Sequence, residues 1–168
     1  MKKLQSLRAH LINAIPGLAA NPDKLLTFIE DGTIEFHRGQ TLSHQYSVPV
    51  KILLMDHSGD LDTVIIPLLQ WLSHYQPNLQ PSEAVRFQAE LLTNQSWDLA
   101  IDVTLTERVV ALVDCAAGRI DAEHRMPEFP IDACPATHWQ LYLRNADVDP
   151  GYTLIAEWGD TPEEPPGD

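Results

Sequence analysis

The segment Trp97-Asp-Leu-Ala-Ile-Asp-Val-Thr-Leu-Thr106 carries a large apolar side chain at every second position from Leu99 to Leu105. Because successive side chains of a β-strand point to opposite faces, this period of two predicts a strand with one face in the core. Residues 85–91 repeat the pattern, with apolar side chains at every second position between Arg, Gln and Glu. The two segments therefore predict consecutive strands of a sheet.

Two other segments have the spacing of amphipathic helices. Residues 4–15 carry Leu or Ile at intervals of three and four, and Ile15-Pro16-Gly17 ends the pattern. Residues 61–75 form the second pattern, which Gln76-Pro77 ends. Pro67 lies inside it, so either this helix kinks there or its regular part begins close to the proline.

The chain between the predicted helices reads as extended. Residues 25–36 predict a β-hairpin, because two β-rich runs flank Asp31-Gly32, a dipeptide that favours two-residue turns. Asn21-Pro22-Asp23 before it favours one helical turn. Residues 42–54 alternate as a longer strand, and Pro49 places that strand at an edge or at a bulge.

The C-terminal third is less regular. Gly118 turns the chain toward Ile120, and the proline-rich stretch 126–136 predicts a loop or arm. Residues 139–143 and 152–158 predict two late strands joined by a turn at 147–151. Residues 159–168 contain four acidic side chains and no basic one, which predicts a disordered acidic tail.

The order of these elements predicts an α+β fold with two main helices packed on a mostly antiparallel sheet. Residues 1–158 are expected to form a single domain, followed by the tail at 159–168. The helix at 61–75 can connect the strands at 42–55 and 85–92 as a crossover, which would be right-handed if those strands are parallel.

Composition excludes several classes of function. The 168 residues carry a formal net charge of −13, which argues against nucleic-acid binding and against a membrane-surface role, because both need clustered basic side chains. No segment approaches the length of about 18 apolar residues that spans a bilayer. Polar residues interrupt the start of the chain, so it is interpreted as structure rather than a leader. Cys115 and Cys134 form no metal-binding or disulfide pattern, which favours an intracellular setting.

The densest polar segment is Asp56-His57-Ser58-Gly59-Asp60-Leu61-Asp62, between a predicted strand and a predicted helix. Its alternating oxygen ligands resemble a calcium loop, but such a loop needs Gly at the sixth place and Glu at the twelfth, where this chain has Leu61 and Pro67. The favoured interpretation is a turn in which Asp60 or Ser58 caps the helix and Asp62 stabilises its positive end.

Other candidate residues carry structural interpretations. The seven histidines have no metal-ligand spacing, and no phosphate-binding glycine motif occurs. Thr106-Glu107-Arg108 interrupts an apolar strand and is interpreted as a strand end at the solvent rim. Trp71 is expected in the core, whereas Trp139 and Trp158 fit either core or an interface. No catalytic, cofactor-binding or metal-binding residue is predicted.

Seven short segments, in this order and spacing, resemble the tail completion protein R family of P2-like contractile-tailed phages. The resemblance covers residues 4 to about 113. The segments are Ile15-Pro-Gly-Leu-Ala-Ala-Asn-Pro-Asp-Lys-Leu25, Phe28-Ile-Glu-Asp-Gly-Thr-Ile34, Met55-Asp-His-Ser-Gly-Asp-Leu-Asp62, Pro67-Leu-Leu-Gln-Trp-Leu72, Gln76-Pro77, Phe87-Gln-Ala-Glu-Leu-Leu92 and Leu105-Thr-Glu-Arg-Val109.

The resemblance implies a non-enzymatic virion assembly protein with a tail-terminator-like domain. Such a protein would complete or terminate the tail at its head-proximal end and make it competent for head joining. It implies contacts with tail tube, sheath and neck or head-completion proteins, and a hexameric ring of identical chains by analogy. Its location would be the host bacterial cytoplasm during assembly and then the virion tail. Pro49 and the 126–136 arm are the expected contact segments.

Two alternatives belong to other classes of protein. One is a metal-assisted hydrolase centred on Asp56, His57, Asp60 and Asp62, which would hold a stoichiometric metal ion. The other is a monomeric acidic adaptor that binds a basic partner, for which association would weaken strongly with added salt.

Overall fold

Two long antiparallel strands form the centre of the protein. A computed structural model describes residues 1–37, 39, 41–80, 82, 84–93, 96–127, 134, 136–144 and 151–160. The elements in chain order are helix α1 (Lys2–Ala14), a 3₁₀ turn (Pro22–Lys24), β1 (Leu25–Ile29), β2 (Thr33–Phe36), β3 (His44–His57), α2 (Asp62–Tyr75), β4 (Val85–Leu91), β5 (Trp97–Asp114), β6 (Arg119–His124), β7 (His138–Arg144) and β8 (Tyr152–Gly159).

The long strands β3 and β5 pair along nearly their whole length at the centre of a six-stranded sheet. Strands β1 and β2 line the outer side of β3, and β4 and β6 line the outer side of β5. Because β3 and β4 are both antiparallel to β5, they run parallel to each other with β5 between them. The crossover through α2 therefore skips one strand, as in a split β-α-β unit.

Helices α1 and α2 cover one face of this sheet, which confirms the predicted α+β class. The core between them comes from the alternating positions of β3 and β5 and from the apolar stripes of both helices. Burying each large aliphatic side chain contributes about 1.5–3 kcal/mol. The most completely buried apolar members are Leu7, Leu11, Ile15, Leu25, Ile52, Leu54, Leu68, Leu99, Ile101 and Leu105.

The predicted hairpin at 25–36 is wrong, although both of its strands exist. Strands β1 and β2 do not pair with each other; both pair with β3, one after the other in the same direction. Residues 30–32 lie between Ile29, which pairs with Val50, and Thr33, which pairs with Ser47. Three residues thus face two, so the chain forms a bulge where a turn was expected.

Pro49 explains why the bulge lies here. Its carbonyl accepts a hydrogen bond from Glu30 N at 3.3 Å, so it faces the side of β1 and β2. The N–H of a strand residue faces the same side as its carbonyl, and proline has none to offer. Of the two positions predicted for Pro49, a sheet edge or a bulge, the structure shows the bulge. Strand β3 is central rather than at an edge, and its neighbour on this side changes from β1 to β2 next to Pro49.

Helix α2 is one helix from Asp62 to Tyr75 with Pro67 inside it. It therefore begins five residues before the proline. His10 of α1 points a ring nitrogen at the carbonyl of Pro67 at 3.0 Å. This contact joins the two helices where proline interrupts the hydrogen-bond ladder of α2. Burial lowers the pKa of His10 below its ordinary value.

The strand end expected at Thr106-Glu107-Arg108 is also wrong. Strand β5 continues without interruption to Asp114, and Glu107 is fully buried. Its carboxylate accepts hydrogen bonds from the backbone N–H groups of Lys2 and Lys3 at 3.1 and 2.8 Å. His124 Nδ1 donates a third at 2.5 Å. The start of α1 thus supplies the donors that make a buried carboxylate tolerable.

The C-terminal end of α2 contacts β5 next to Glu107. The side chain of Lys3 is buried, and its Nζ donates to the carbonyl of Tyr75 at 2.8 Å. Gln76 follows Tyr75 and bonds the backbone of β5 in both directions, with Nε2 donating to Thr106 O at 2.8 Å and Oε1 accepting from Thr106 N at 3.2 Å. We call Lys3, Gln76, Glu107 and His124 the polar junction.

Strands β7 and β8 form a separate hairpin that packs on the outer side of the helices. Trp158 is buried there with Ala14 and Ala156, and its Nε1 donates to Gln70 Oε1 at 3.0 Å. Trp139 packs half-buried against the same cluster. Both tryptophans therefore belong to a small second core in this structure, whereas Trp71 lies in the main core as predicted.

The end of β8 reaches into the predicted acidic tail. Gly159 has a φ of +101°, and a Cβ there would lie 2.1 Å from the Thr137 carbonyl, so only glycine fits. Asp160 N donates to the same carbonyl at 3.1 Å. The remaining tail residues, 161–168, lie outside the described residues, as do most of the 126–136 arm and the turn at 145–150. Among the described helices, neither reaches the length and apolarity that crossing a membrane demands.

The polar junction gives a test of the buried carboxylate. Burial by itself raises the pKa of Glu107, but the bonds from Lys3, Lys2 and His124 outweigh it, and the net pKa lies below its ordinary value of 4.5. A lowered folded-state pKa contributes stability above pH 4.5 that disappears as the pH falls through the folded-state value. We expect Glu107→Gln to lower the free energy of unfolding by about 2 kcal/mol at pH 7, because one backbone donor loses its acceptor.

Urea unfolding between pH 7 and pH 3 measures both effects. The loss of stability between wild type and Glu107→Gln should shrink as the pH falls. Glu123→Gln is the matched control, since Glu123 lies next to His124 in β6 but is exposed. An equal effect of the two substitutions would contradict this role for Glu107.

Candidate functional site

The acidic segment 56–62 lies where β3 ends and α2 begins. Asp56 has a positive φ of 50°, and its backbone N–H donates to Asp98 Oδ1 of β5 at 2.8 Å. Its carboxylate lies 2.7 Å from Lys24 Nζ. The hydrogen bond and charge of Lys24 lower the pKa of the Asp56 carboxyl. This carboxylate therefore ties the end of β3 to the 3₁₀ turn before β1.

His57 points inward rather than toward solvent. Its Nε2 lies 3.1 Å from Thr63 Oγ1, and its ring packs edge-on against Trp97. Burial lowers the pKa of His57 despite the hydrogen bond to the Asp60 carbonyl. A Cβ at position 59 would lie 2.8 Å from this ring, so Gly59 is what allows the loop to close over His57.

The other two acidic residues of the loop, Asp60 and Asp62, lie at the start of helix α2. Asp60 Oδ1 accepts a hydrogen bond from Asp62 N at 3.0 Å, and Asp60 O accepts one from Thr63 Oγ1 at 2.6 Å. Asp62 lies in the first turn of α2, where a negative charge stabilises the helix. Asp60 thus accepts a bond from the first residue of α2, as the capping interpretation expects, although Leu61 rather than Asp60 directly precedes the helix.

The loop does not converge on a point in space. Across the part of the chain that the structure describes, no three His, Cys, Asp or Glu side chains are grouped to hold a metal ion. Asp56 is directed at Lys24, His57 at Thr63, and Asp60 at the start of α2. Three of the four side chains that a metal-assisted hydrolase would need, those of Asp56, His57 and Asp60, are thus engaged in bonds that shape the loop.

The structure describes Pro49, but only part of the 126–136 arm, the other expected contact segment. Pro49 is exposed on the face of the sheet opposite the helices, and the fold also uses it for the bulge. Of the 126–136 arm, only residues 126, 127, 134 and 136 are described, and Cys134 is an exposed free cysteine, as is Cys115. A contact role for Pro49 and for the arm stays a prediction.

The sequence interpretation missed a second surface, formed by exposed apolar side chains on the outer strands. Phe36 of β2 is 68% exposed and Leu91 of β4 is 72% exposed. In the described chain, no further strand pairs with the outer edges of β1, β2, β4 or β6. The other large apolar side chains exposed on these four strands are Leu26, Phe28, Ile29, Ile34, Phe87 and Ile120.

Two clefts accompany these surfaces. One of about 480 Å³ lies at β2 and the start of β3, lined by Ile34, Phe36, Leu42 and Tyr46 among others. The second, of about 510 Å³, lies between the two helices and the β7–β8 hairpin. The first cleft lies beyond the helix layer, on the face that the helices cover elsewhere. Exposed apolar patches of this kind mark contact surfaces for other proteins more often than sites of chemistry.

The bonding pattern of the 56–62 loop predicts a stability that is independent of metal ions. Dialysis against EDTA, and addition of Ca²⁺ or Zn²⁺ to the dialysed protein, should leave the thermal unfolding midpoint unchanged. Asp60→Ala should lower the free energy of unfolding by about 1 kcal/mol, the usual cost of a lost helix cap, with or without metal. A stoichiometric metal ion that Asp60→Ala releases would contradict this account.

Comparison with known proteins gives two consistent matches. The family model described as P2 phage tail completion protein R (GpR) matches residues 1–129. The chain is also 34% identical, over 164 residues, to Tail completion protein R of Escherichia phage P2, a match that covers 94% of this chain and 99% of that protein. No solved structure matches the chain. The chain belongs to the P2 phage tail completion protein R family.

Proposed function

We propose that this protein completes the tail of a phage particle during virion assembly and acts as a structural, non-enzymatic component. The observation that carries the proposal is the 34% sequence identity to the phage P2 protein, in an alignment that covers 94% of this chain. That match extends beyond residue 113, where the sequence motifs ended, and so includes the β7–β8 hairpin. A shared function is far better supported by agreement over the full length than by one shared motif.

The structural role is supported by where the polar side chains point. The buried carboxylate of Glu107 holds a helix start, and the 56–62 side chains hold a strand end and a helix start. The exposed features are instead apolar strands and clefts, which suit contacts between proteins. This division of polar and apolar groups favours an assembly protein over the hydrolase alternative.

We further propose that the protein acts at the head-proximal end of the tail and makes the tail competent to join a head. Its partners would be tail tube and sheath proteins on one side and neck or head-completion proteins on the other. It would be made in the host bacterial cytoplasm and then become part of the virion tail. A closed ring of identical chains, with six as the number suggested by analogy, fits a role at the end of a tube because a heterologous interface that closes makes a ring.

Tails made without this protein test the role directly. Negative-stain electron microscopy of a lysate in which the gene is deleted should show overlong or headless tails, and added purified protein should correct the defect. Overlong tails would identify a terminator, and headless tails of normal length would identify a joining factor. Normal infectious particles in the deletion lysate would contradict the proposal.

The dependence of association on salt separates a ring from a monomeric adaptor. Each chain carries a net charge of −13, so identical chains repel one another and added salt screens that repulsion. Self-association through apolar strands should therefore persist or strengthen when NaCl is raised from roughly 50 to 500 mM, which is about a tenfold increase in ionic strength. Sedimentation velocity measures this. A chain that remains a monomer and binds a basic tail component only at low salt would support the adaptor instead.

A further inference from the structure

We infer that copies of this chain join edge to edge, with the β1–β2 edge of one copy pairing antiparallel with the β4–β6 edge of the next. This inference rests on the proposed ring and names the surfaces that would form it. The occupant of each edge is a second copy of the chain.

The directions of the strands make this pairing geometrically consistent. Strands β1 and β2 are antiparallel to β3, while β4 and β6 are antiparallel to β5. Because β3 and β5 are themselves antiparallel, the two outer edges of the sheet run in opposite directions. Copies related by rotation about an axis along the strands would bring these opposite edges together. The contact is then antiparallel, and it is the same at every step around a ring.

Apart from the bulge at residues 30–32, the outer strands show few of the features that normally prevent such pairing. Isolated sheet edges usually carry Lys, Pro or a covering segment. Strands β1 and β2 contain neither Lys nor Pro. Every residue of β2 is exposed, and all but one residue in each of β4 and β6 are exposed. An uncovered apolar edge of this kind is a surface that another strand can extend.

The charges on the two edges differ in a way that favours pairing between unlike edges. Residues 25–36 contain the carboxylates Glu30, Asp31 and Glu35 and no basic side chain. The opposite edge is close to neutral, because β4 carries Arg86 and Glu90 and because Arg119 and Arg125 pair with the β6 carboxylates Asp121 and Glu123. Pairing the acidic edge with itself would bring like charges together, whereas pairing it with the β4–β6 edge would not.

One row of the sheet shows the complementarity in detail. Phe28, Lys51, Asp102 and Arg86 face one another across β1, β3, β5 and β4. Phe28 and Arg86 therefore lie at the two ends of a single row, on the face opposite the helices. Glu30 lies two residues beyond Phe28 on the same face and bonds Lys51 at 3.4 Å. Adjacent copies at the same level would bring Arg86 of one copy beside Phe28 and near Glu30 of the next.

Two charge substitutions test the two edges separately. Phe28→Lys changes β1, where the side chain is 46% exposed, and Phe87→Lys changes β4, where it is 52% exposed. Each should weaken self-association of the purified full-length protein by at least about tenfold in sedimentation velocity, because a lysine charge would be buried in the contact. Leu69→Lys is the matched control on α2, 50% exposed, and should associate like wild type. Thermal unfolding of all three should match wild type.

Mixing the variants gives the decisive readout. The Phe87→Lys chain keeps an intact β1–β2 edge and the Phe28→Lys chain keeps an intact β4–β6 edge, so an equimolar mixture should form a dimer that neither variant forms alone. Loss of association in only one variant would indicate an edge paired with itself and would overturn the proposal. Unchanged association in both variants would overturn it as well. These outcomes do not depend on tails, so they are distinct from failure of the tail completion role.

Cross-linking on assembled tails tests the same contact if the free wild-type chain is a monomer. A Phe28→Cys, Arg86→Cys double variant is placed in a Cys115→Ser, Cys134→Ser background, whose replaced cysteines are exposed and free. A short bis-maleimide should link its chains into a ladder of oligomers, whereas each single-cysteine variant should stay unlinked. A double variant that is incorporated into tails but stays unlinked would overturn the proposal.

Discussion

The buried carboxylate of Glu107 is the constraint on which the arrangement of layers depends. A charge in that position is affordable only where several donors converge, and the first N–H groups of α1 together with His124 provide them. Lys3 and Gln76 then hold the end of α2 at the same level of β5. The two helices therefore stop at one row of the sheet, and the layer that covers the core ends with them.

That boundary divides the long central strands into two regions with different roles. Below the polar junction the alternating side chains of β3 and β5 form the core beneath the helices. Beyond the polar junction the sheet continues as β2, β3, β5 and β6, where Val109 and Ala111 of β5 stay buried but Ile34 and Phe36 of β2 are exposed. The same alternation thus serves the interior in one region and the contact surface in the other. An assembly protein needs both regions, because the buried core keeps the domain folded while the exposed apolar surface stays available for binding partner proteins.

Polar density was a poor guide to function in this chain. The 56–62 segment has the composition of a ligand site, but its groups are directed at Lys24, Thr63 and the start of α2. A linear sequence shows which polar groups are near one another along the chain. It does not show whether their side chains converge, and convergence is what metal binding or catalysis requires.

The α+β class, both helices, strand β3, the first half of β5 and the family could be predicted from the sequence, because period, turn residues and motif order are local properties. Which strands pair became clear from the three-dimensional structure alone. Asp31-Gly32 is compatible with a hairpin, but the long edge of β3 pairs with both flanking runs, and Pro49 makes a bulge the better solution. The three-dimensional structure also placed Glu107 in the interior, since its two backbone donors come from residues more than 100 positions away. Long-range partners of this kind leave no periodic signal in a single sequence.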